Sequence, residues 1–245
     1  MNRKEIFNHF SILLNDMIDN SSFLKYYFQE PFYLRDGEKS FEETCNIYSG
    51  ATRGCLVDKN FSYVVKFNLM DEESGLFYTS CQKEQCIYSA AEKENLQDSL
   101  LKPVFIGNFR KTFEFYNFTD INDFLYDEGE EDLVNCYFDD FEKFEGLPLE
   151  IINIEIPLYA YPRAERIDAN FYGSKDSCIT AKNSVGPLSE YADTVGAKII
   201  DDYGEDYFFA LQDFLESFEV NDLHSGNIMR LNEKVVISDY AGYSY

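Results

Sequence analysis

The sequence predicts an α+β chain, strand-rich with a helical N-terminus over residues 1–161 and helical over residues 162–245. Three observations carry that prediction. Short runs of β-branched and aromatic residues bounded by turn formers cluster in the first part, at 46–57, 61–67, 104–118 and 151–161. In the second part Tyr207, Leu211, Phe214, Leu215 and Phe218 recur at i, i+4, i+7, i+8 and i+11, the rhythm of a helix that buries one face. No internal repeat appears, and no Gly-, Pro- or Ser-rich linker divides the chain.

Each element follows from its own residues. Ile6, Phe7, Phe10, Leu13, Leu14, Met17 and Ile18 keep helical spacing, so 4–19 reads as an amphipathic helix. NIYSGATRGCLV (46–57) reads as strand, glycine-punctuated turn and strand, and FSYVVKF (61–67) as a strand with one embedded lysine. Residues 79–98 have the Glu, Gln, Lys and Ala content of a helix. VFIGNFRKTFEFYNF (104–118) is strand-like, and 119–147 is an acidic, aromatic-rich stretch expected as a surface insertion. IINIEIPLYAY (151–161) is a strand that ends at Pro162, and 163–186 is mixed, with a loop-like GSKDS at 173–177.

Composition narrows the function classes. With 245 residues, 45% of them hydrophobic, and 19 Tyr and 23 Phe, the chain can bury a real core and is not disordered by composition. Its 45 acidic against 21 basic residues give a formal net charge of −24, which repels nucleic-acid backbones and anionic membranes and attracts cationic protein partners. The six cysteines lack a CxxC pair and there are two histidines, so zinc is not expected and reduced buried thiols are. The N-terminal segment lacks the unbroken apolar run of a signal peptide, and no stretch approaches a membrane span. A cytoplasmic protein is expected.

The last 26 residues, VNDLHSGNIMRLNEKVVISDYAGYSY, carry the chemistry. Asp222 and Asn227 lie five positions apart in a polar loop after the apolar helix. The turn-like Leu231–Lys234 segment and Val235–Ile237 predict a hairpin that returns Asp239 beside them. Two carboxylates and an amide oxygen are hard ligands suited to Mg²⁺, which takes a few carboxylates together with substrate phosphates.

D-L-H-S-G-N (222–227) resembles the catalytic loop of the protein-kinase superfamily. It is similar to the D-L-H-x-x-N form of aminoglycoside and choline kinases and of small kinase-like proteins of bacteria and their phages. S-D-Y-A-G (238–242) resembles the metal-binding D-F-G segment with one residue inserted before the glycine. The resemblance spans roughly 44–245 and implies a bilobal fold with an antiparallel-sheet N-lobe and a reduced helical C-lobe, holding ATP and Mg²⁺ between them. Asp222 would orient or deprotonate the acceptor hydroxyl, and Asn227 and Asp239 would hold Mg²⁺ against the phosphates. Lys66 stands where such kinases grip the α- and β-phosphates. Glu84 is its expected partner on the following helix, preferred over Glu92 because Glu84, Tyr88 and Ala91 share a face. Gly50 and Gly54 of SGATRG stand at the phosphate-covering loop. Tyr159 and Tyr161 mark the hinge beside the nucleotide base. His224 sits near the γ-phosphate or hydrogen-bonds its own loop.

The pattern departs from the family in two places. Val220 and Asn221 stand where H-R or H-G usually precedes the aspartate, so the bracing that histidine gives the D-F-G segment is not expected. No activation segment follows Gly242, so acceptor recognition falls to 119–147 and 163–200. The implied activity is transfer of the ATP γ-phosphoryl group to a hydroxyl of a protein or small molecule. The alternatives are a nucleotide-binding pseudokinase acting as a protein-interaction module, and an acidic polyanion mimic.

Overall fold

The computed structural model describes residues 2–18, 33–34, 45–49, 52–70, 76–116, 150–167, 173–188, 195–220, 223 and 225–241. Among them the architecture is α+β. Five helices are α1 (Arg3–Ile18), α2 (Ser80–Glu94), α3 (Lys175–Lys182), α4 (Ala197–Tyr203) and α5 (Glu205–Ser217). The strands are β1 (Tyr33–Leu34), β2 (Cys45–Ser49), β3 (Arg53–Asp58), β4 (Tyr63–Asn68), β5 (Val104–Tyr116), β6 (Glu150–Pro162), β7 (Glu165–Arg166), β8 (Ile228–Leu231) and β9 (Lys234–Ile237). They form a six-stranded sheet in the order β1-β5-β6-β4-β3-β2 and a three-stranded sheet in the order β7-β8-β9. The expected insertion at 119–147 lies outside the described residues.

The chain folds as two units, each assembled from separated segments. The first comprises Met1–Lys59, Val65–Tyr78 and Phe105–Leu158, and the second Asn60–Val64, Thr79–Val104 and Tyr159–Tyr245. In the first unit Ile6, Phe10 and Leu14 of α1 are buried one turn apart, as the helical spacing requires. Phe7 lies over Gly107 of β5, where a Cβ would stand 2.9 Å from its ring. His9 Nε2 meets Asp58 Oδ2 at 2.8 Å, joining α1 to the end of β3. Strands β2 and β3 pair antiparallel from Cys45 opposite Asp58 to Ser49 opposite Gly54. Leu56, Val65, Phe67, Ile154, Ile156 and Leu158 fill the buried face of the sheet.

The second unit is built around α5. Phe208, Leu211, Phe214 and Leu215 are all buried, packing with Ile87 and Ala91 of α2, Ala181 of α3, Ile199 of α4, and Val235 and Ile237 of β9. Helix α2 stops at Asn95, which adopts the left-handed conformation (φ 61°) and returns its N–H to the Ala91 carbonyl. The GSKDS stretch, expected as loop, instead starts a helix. Ser174 caps α3 by accepting the Ser177 N–H, while Asp201 of α4 accepts the Ser174 N–H and both serine hydroxyls. Cys55, Cys81, Cys86 and Cys178 are free thiols, Cys81 buried, Cys55 and Cys178 half-buried and Cys86 exposed, so the expectation of buried thiols holds at Cys81 and fails at Cys86. Among the described residues no helix is long and apolar enough to cross a membrane.

Gly54 has a packing reason to be glycine. A Cβ at this position would lie 2.3 Å from the Phe67 ring, which is itself fully buried. Gly54→Ala should therefore destabilise the protein by about 1–3 kcal/mol through overpacking. Urea denaturation of Gly54→Ala, Phe67→Leu and the double variant checks this: the smaller residue 67 should recover part of the loss, giving a non-additive cycle.

Candidate functional site

The C-terminal hairpin sets the site. Asn232 and Glu233 both take positive φ (52° and 66°), giving the two-residue turn whose twist suits an antiparallel pair. The turn fixes the register, with Leu231 opposite Lys234 and Ile228 opposite Ile237. Asn227 therefore faces Ser238, and its carbonyl accepts both the Ser238 N–H (2.8 Å) and the Ser238 hydroxyl (3.0 Å). Asp239 follows immediately. The sequence expectation that the hairpin returns Asp239 to Asn227 matches this register.

Strand β9 is anchored on its other side as well. Leu101 N–H donates to the Ile237 carbonyl at 2.8 Å, beside a parallel bridge between Leu100 and Ile237. Asp202 accepts the Val235 N–H (3.0 Å), and the Tyr203 hydroxyl donates to the Val235 carbonyl (2.8 Å). Beyond Asp239, the Tyr240 N–H donates to Glu84 Oε1 at 3.2 Å and its hydroxyl to the Leu101 carbonyl at 3.0 Å. Asp239 is thus a half-buried carboxylate between two buried, hydrogen-bonded neighbours.

Glu84 is the central acid. It is fully buried on α2, on the face it shares with Cys81, Tyr88 and Ala91. A carboxylate in such surroundings is tolerated only with strong hydrogen bonds. Besides the Tyr240 amide it accepts the Tyr161 hydroxyl on Oε2 at 2.5 Å. Glu92, the competing acid on this helix, is exposed and meets Lys102 at 2.9 Å.

The remaining site residues fall as follows. Lys66 lies in β4 between the buried Val65 and Phe67, so it projects from the opposite face of the sheet, half-buried. Its charge reaches Cys55, whose thiol is pushed up by burial and eased down by Lys66 and Arg53. Gly54 lies within β3 rather than in the turn before it. Tyr159 and Tyr161 are both buried, packed with Cys81, Leu101 and Val236. Gly50, Asp222 and His224 lie outside the described residues. Leu223, between the last two, is buried in the core that also holds Val220.

Asn227 is buried and Asp239 half-buried at adjoining positions, a carboxylate and an amide with hard oxygens. Among the described residues no group of three or more His, Cys, Asp or Glu gathers as a metal site. A carboxylate and an amide are the hard-oxygen ligand types that Mg²⁺ takes beside phosphate and water. Sequence reasoning missed two partners here, the Tyr240 amide and the Tyr161 hydroxyl. A signal existed for the second: a tyrosine inside a strand as apolar as IINIEIPLYAY must bring its hydroxyl to an acceptor. No protein-family model and no curated protein matches the chain.

Burial, with the Cys81 and Cys86 sulfurs adding to it, pushes the Tyr159 phenol up to about 12 from 10.0. Folding thus holds this proton more tightly than the unfolded chain does. The contribution is intact below pH 10 and is lost as pH rises from there toward 12. The loss expected from this residue is on the order of 2 kcal/mol. Urea midpoints measured across that range check this, and Tyr159→Phe should show a shallower alkaline decline than the parent.

Proposed function

We propose that this protein binds ATP with Mg²⁺ and transfers the γ-phosphoryl group to a hydroxyl of a protein or small-molecule acceptor, as a member of the protein-kinase-like superfamily. The observation that carries the reading is the setting of Asp239. It stands one place beyond the Asn227–Ser238 junction, with both of its neighbours hydrogen-bonded and buried. A carboxylate whose backbone is fixed in this way, next to the Asn227–Ser238 junction, suits an ion whose other ligands are phosphate oxygens.

In this reading Asn227 and Asp239 hold Mg²⁺, which supplies charge compensation for the phosphates. Asp222 orients the acceptor hydroxyl and takes its proton as the new P–O bond forms and the bond to ADP breaks. Lys66 grips the α- and β-phosphates, with Gly50 and Gly54 belonging to the segment that covers them. Glu84 is the acid that pairs with Lys66. Tyr159 and Tyr161 mark the hinge and His224 the γ-phosphate end. In this reading residues 1–161 form the strand-rich lobe and residues 162–245 the reduced helical lobe of a bilobal kinase-like fold. Its setting is the cytoplasm, where free thiols such as Cys81 and Cys86 stay reduced.

Thermal denaturation with and without Mg-ATP, together with ATP turnover, tests the proposal. The wild type should gain stability with Mg-ATP, by about 4 kcal/mol at a thousandfold excess over Kd. Asp239→Asn should lose the Mg²⁺-dependent part of that gain. Asp222→Asn should keep binding and lose turnover by about 10²–10⁴-fold. Mg-ATP stabilisation of the wild type without turnover would favour the pseudokinase alternative. No stabilisation by any nucleotide would overturn the reading.

A further inference from the structure

We propose that the Tyr161 hydroxyl is a positioning group for the Asp239 segment. It acts through Glu84 and, on the reading of Asp239 as a Mg²⁺ ligand, sets the affinity of that position for the ion. The inference rests on that reading for its metal readout and on the hydrogen bonds alone for its structural readout.

The terminal torsion of a glutamate is broad and roughly two-fold, so packing alone does not fix where its oxygens point. Hydrogen bonds must. Glu84 is fully buried, and one oxygen takes the Tyr161 hydroxyl at 2.5 Å while the other takes the Tyr240 amide at 3.2 Å. The shorter bond comes from a phenol whose ring is itself fully buried on β6, among Cys81, Leu101, Tyr159 and Val236. It is therefore the rigid end of the chain of contacts. With Oε2 held, Oε1 is aimed at Tyr240, and the peptide joining Asp239 to Tyr240 is fixed from the Tyr240 side. From the other side Ser238 is fixed by Asn227. Asp239 owes its position to both, and Tyr161 is the remote origin of one of them.

Val220 gives this arrangement its purpose. It stands where related loops carry a histidine that braces the metal-binding segment, and here it is a buried core residue with nothing to donate. The Tyr161–Glu84–Tyr240 chain supplies a brace from a different direction.

Removing the hydroxyl takes from Oε2 the short bond that orients it. The carboxylate is then free to turn about its terminal torsion, and the Tyr240 amide loses a well-aimed acceptor. Tyr240 stays packed, because its ring is buried and its own hydroxyl remains on the Leu101 carbonyl. The consequence is a looser Asp239 in an otherwise intact fold.

The test is Tyr161→Phe, compared with Tyr207→Phe. The latter deletes another tyrosine hydroxyl of the same unit, one that bonds the Leu96 carbonyl and Ser99. Amide hydrogen exchange over 238–241 should speed up about tenfold in Tyr161→Phe and stay at the parental rate in Tyr207→Phe. The Mg²⁺ concentration giving half of the Mg-ATP stabilisation should rise about tenfold in Tyr161→Phe alone, as for residues that orient a metal ligand. Glu84→Gln keeps an acceptor for the Tyr240 amide and can donate to the Tyr161 oxygen, so its exchange over 238–241 should stay slow. Glu84→Leu removes that acceptor and should speed exchange over 238–241, so Glu84→Leu against Glu84→Gln gives the comparison should Tyr161→Phe fail to fold, and equal exchange in those two overturns the inference. Equal exchange in the two tyrosine variants overturns the inference, as does faster exchange with an unshifted Mg²⁺ midpoint. A wild type that ignores Mg-ATP sinks the reading of the metal site, and the exchange comparison then decides the brace on its own.

Discussion

A carboxylate buried away from water is the constraint around which the second unit is organised. Glu84 has no exposure, and its desolvation must be met by donors inside the protein. Those donors come from distant parts of the chain, the Tyr161 hydroxyl 77 residues away and the Tyr240 amide 156 residues away. Satisfying one acid thus draws a helix, the end of a long strand and the C-terminal segment to a single point. An apolar residue in its place would need no such meeting, and the segment after β9 would lose its reason to lie there.

Strand β9 carries this constraint to the candidate site. Its backbone is engaged on one side by β8 and on the other by Leu100, Leu101, Asp202 and Tyr203. Tyr203 stacks on Tyr207 with ring centroids 4.9 Å apart, and the Tyr207 hydroxyl reaches Leu96 and Ser99, so α4 and α5 grip the turn that follows α2. Four short strand residues could not hold a functional side chain on their own. Held from both edges, they place Asp239 with little freedom, and preorganisation of that kind is what a ligand-binding carboxylate requires.

The elements nearest the site were legible in the sequence because local physics specifies them. The hairpin was readable from its apolar runs and its Asn232–Glu233 turn, which alone sets Asn227 opposite Ser238. Helix α2 and the choice of Glu84 over Glu92 as the acid on its inner face followed from side-chain periodicity. Helix α3 was not legible, because Ser174 and Gly173 read as loop chemistry until Asp201 of another helix supplies the acceptor that fixes the cap. The hydrogen-bond partner of Tyr161 was not legible for a related reason. The bond from its hydroxyl to Glu84 joins residues 77 apart, and no local pattern associates the two.

By itself the sequence determined the period of each element, the position of its turns and the acidic character of the surface, since these depend on neighbours a few residues apart. Only the tertiary structure decided which polar groups share a hydrogen bond. The pairing of Glu84 with Tyr161 and Tyr240 arises between segments far apart in sequence, and the space that keeps residue 54 a glycine against Phe67 arises between neighbouring strands of the sheet. Such contacts are selected by close packing and by the demand that buried polar atoms be satisfied, and both are properties of the folded interior rather than of any stretch of chain.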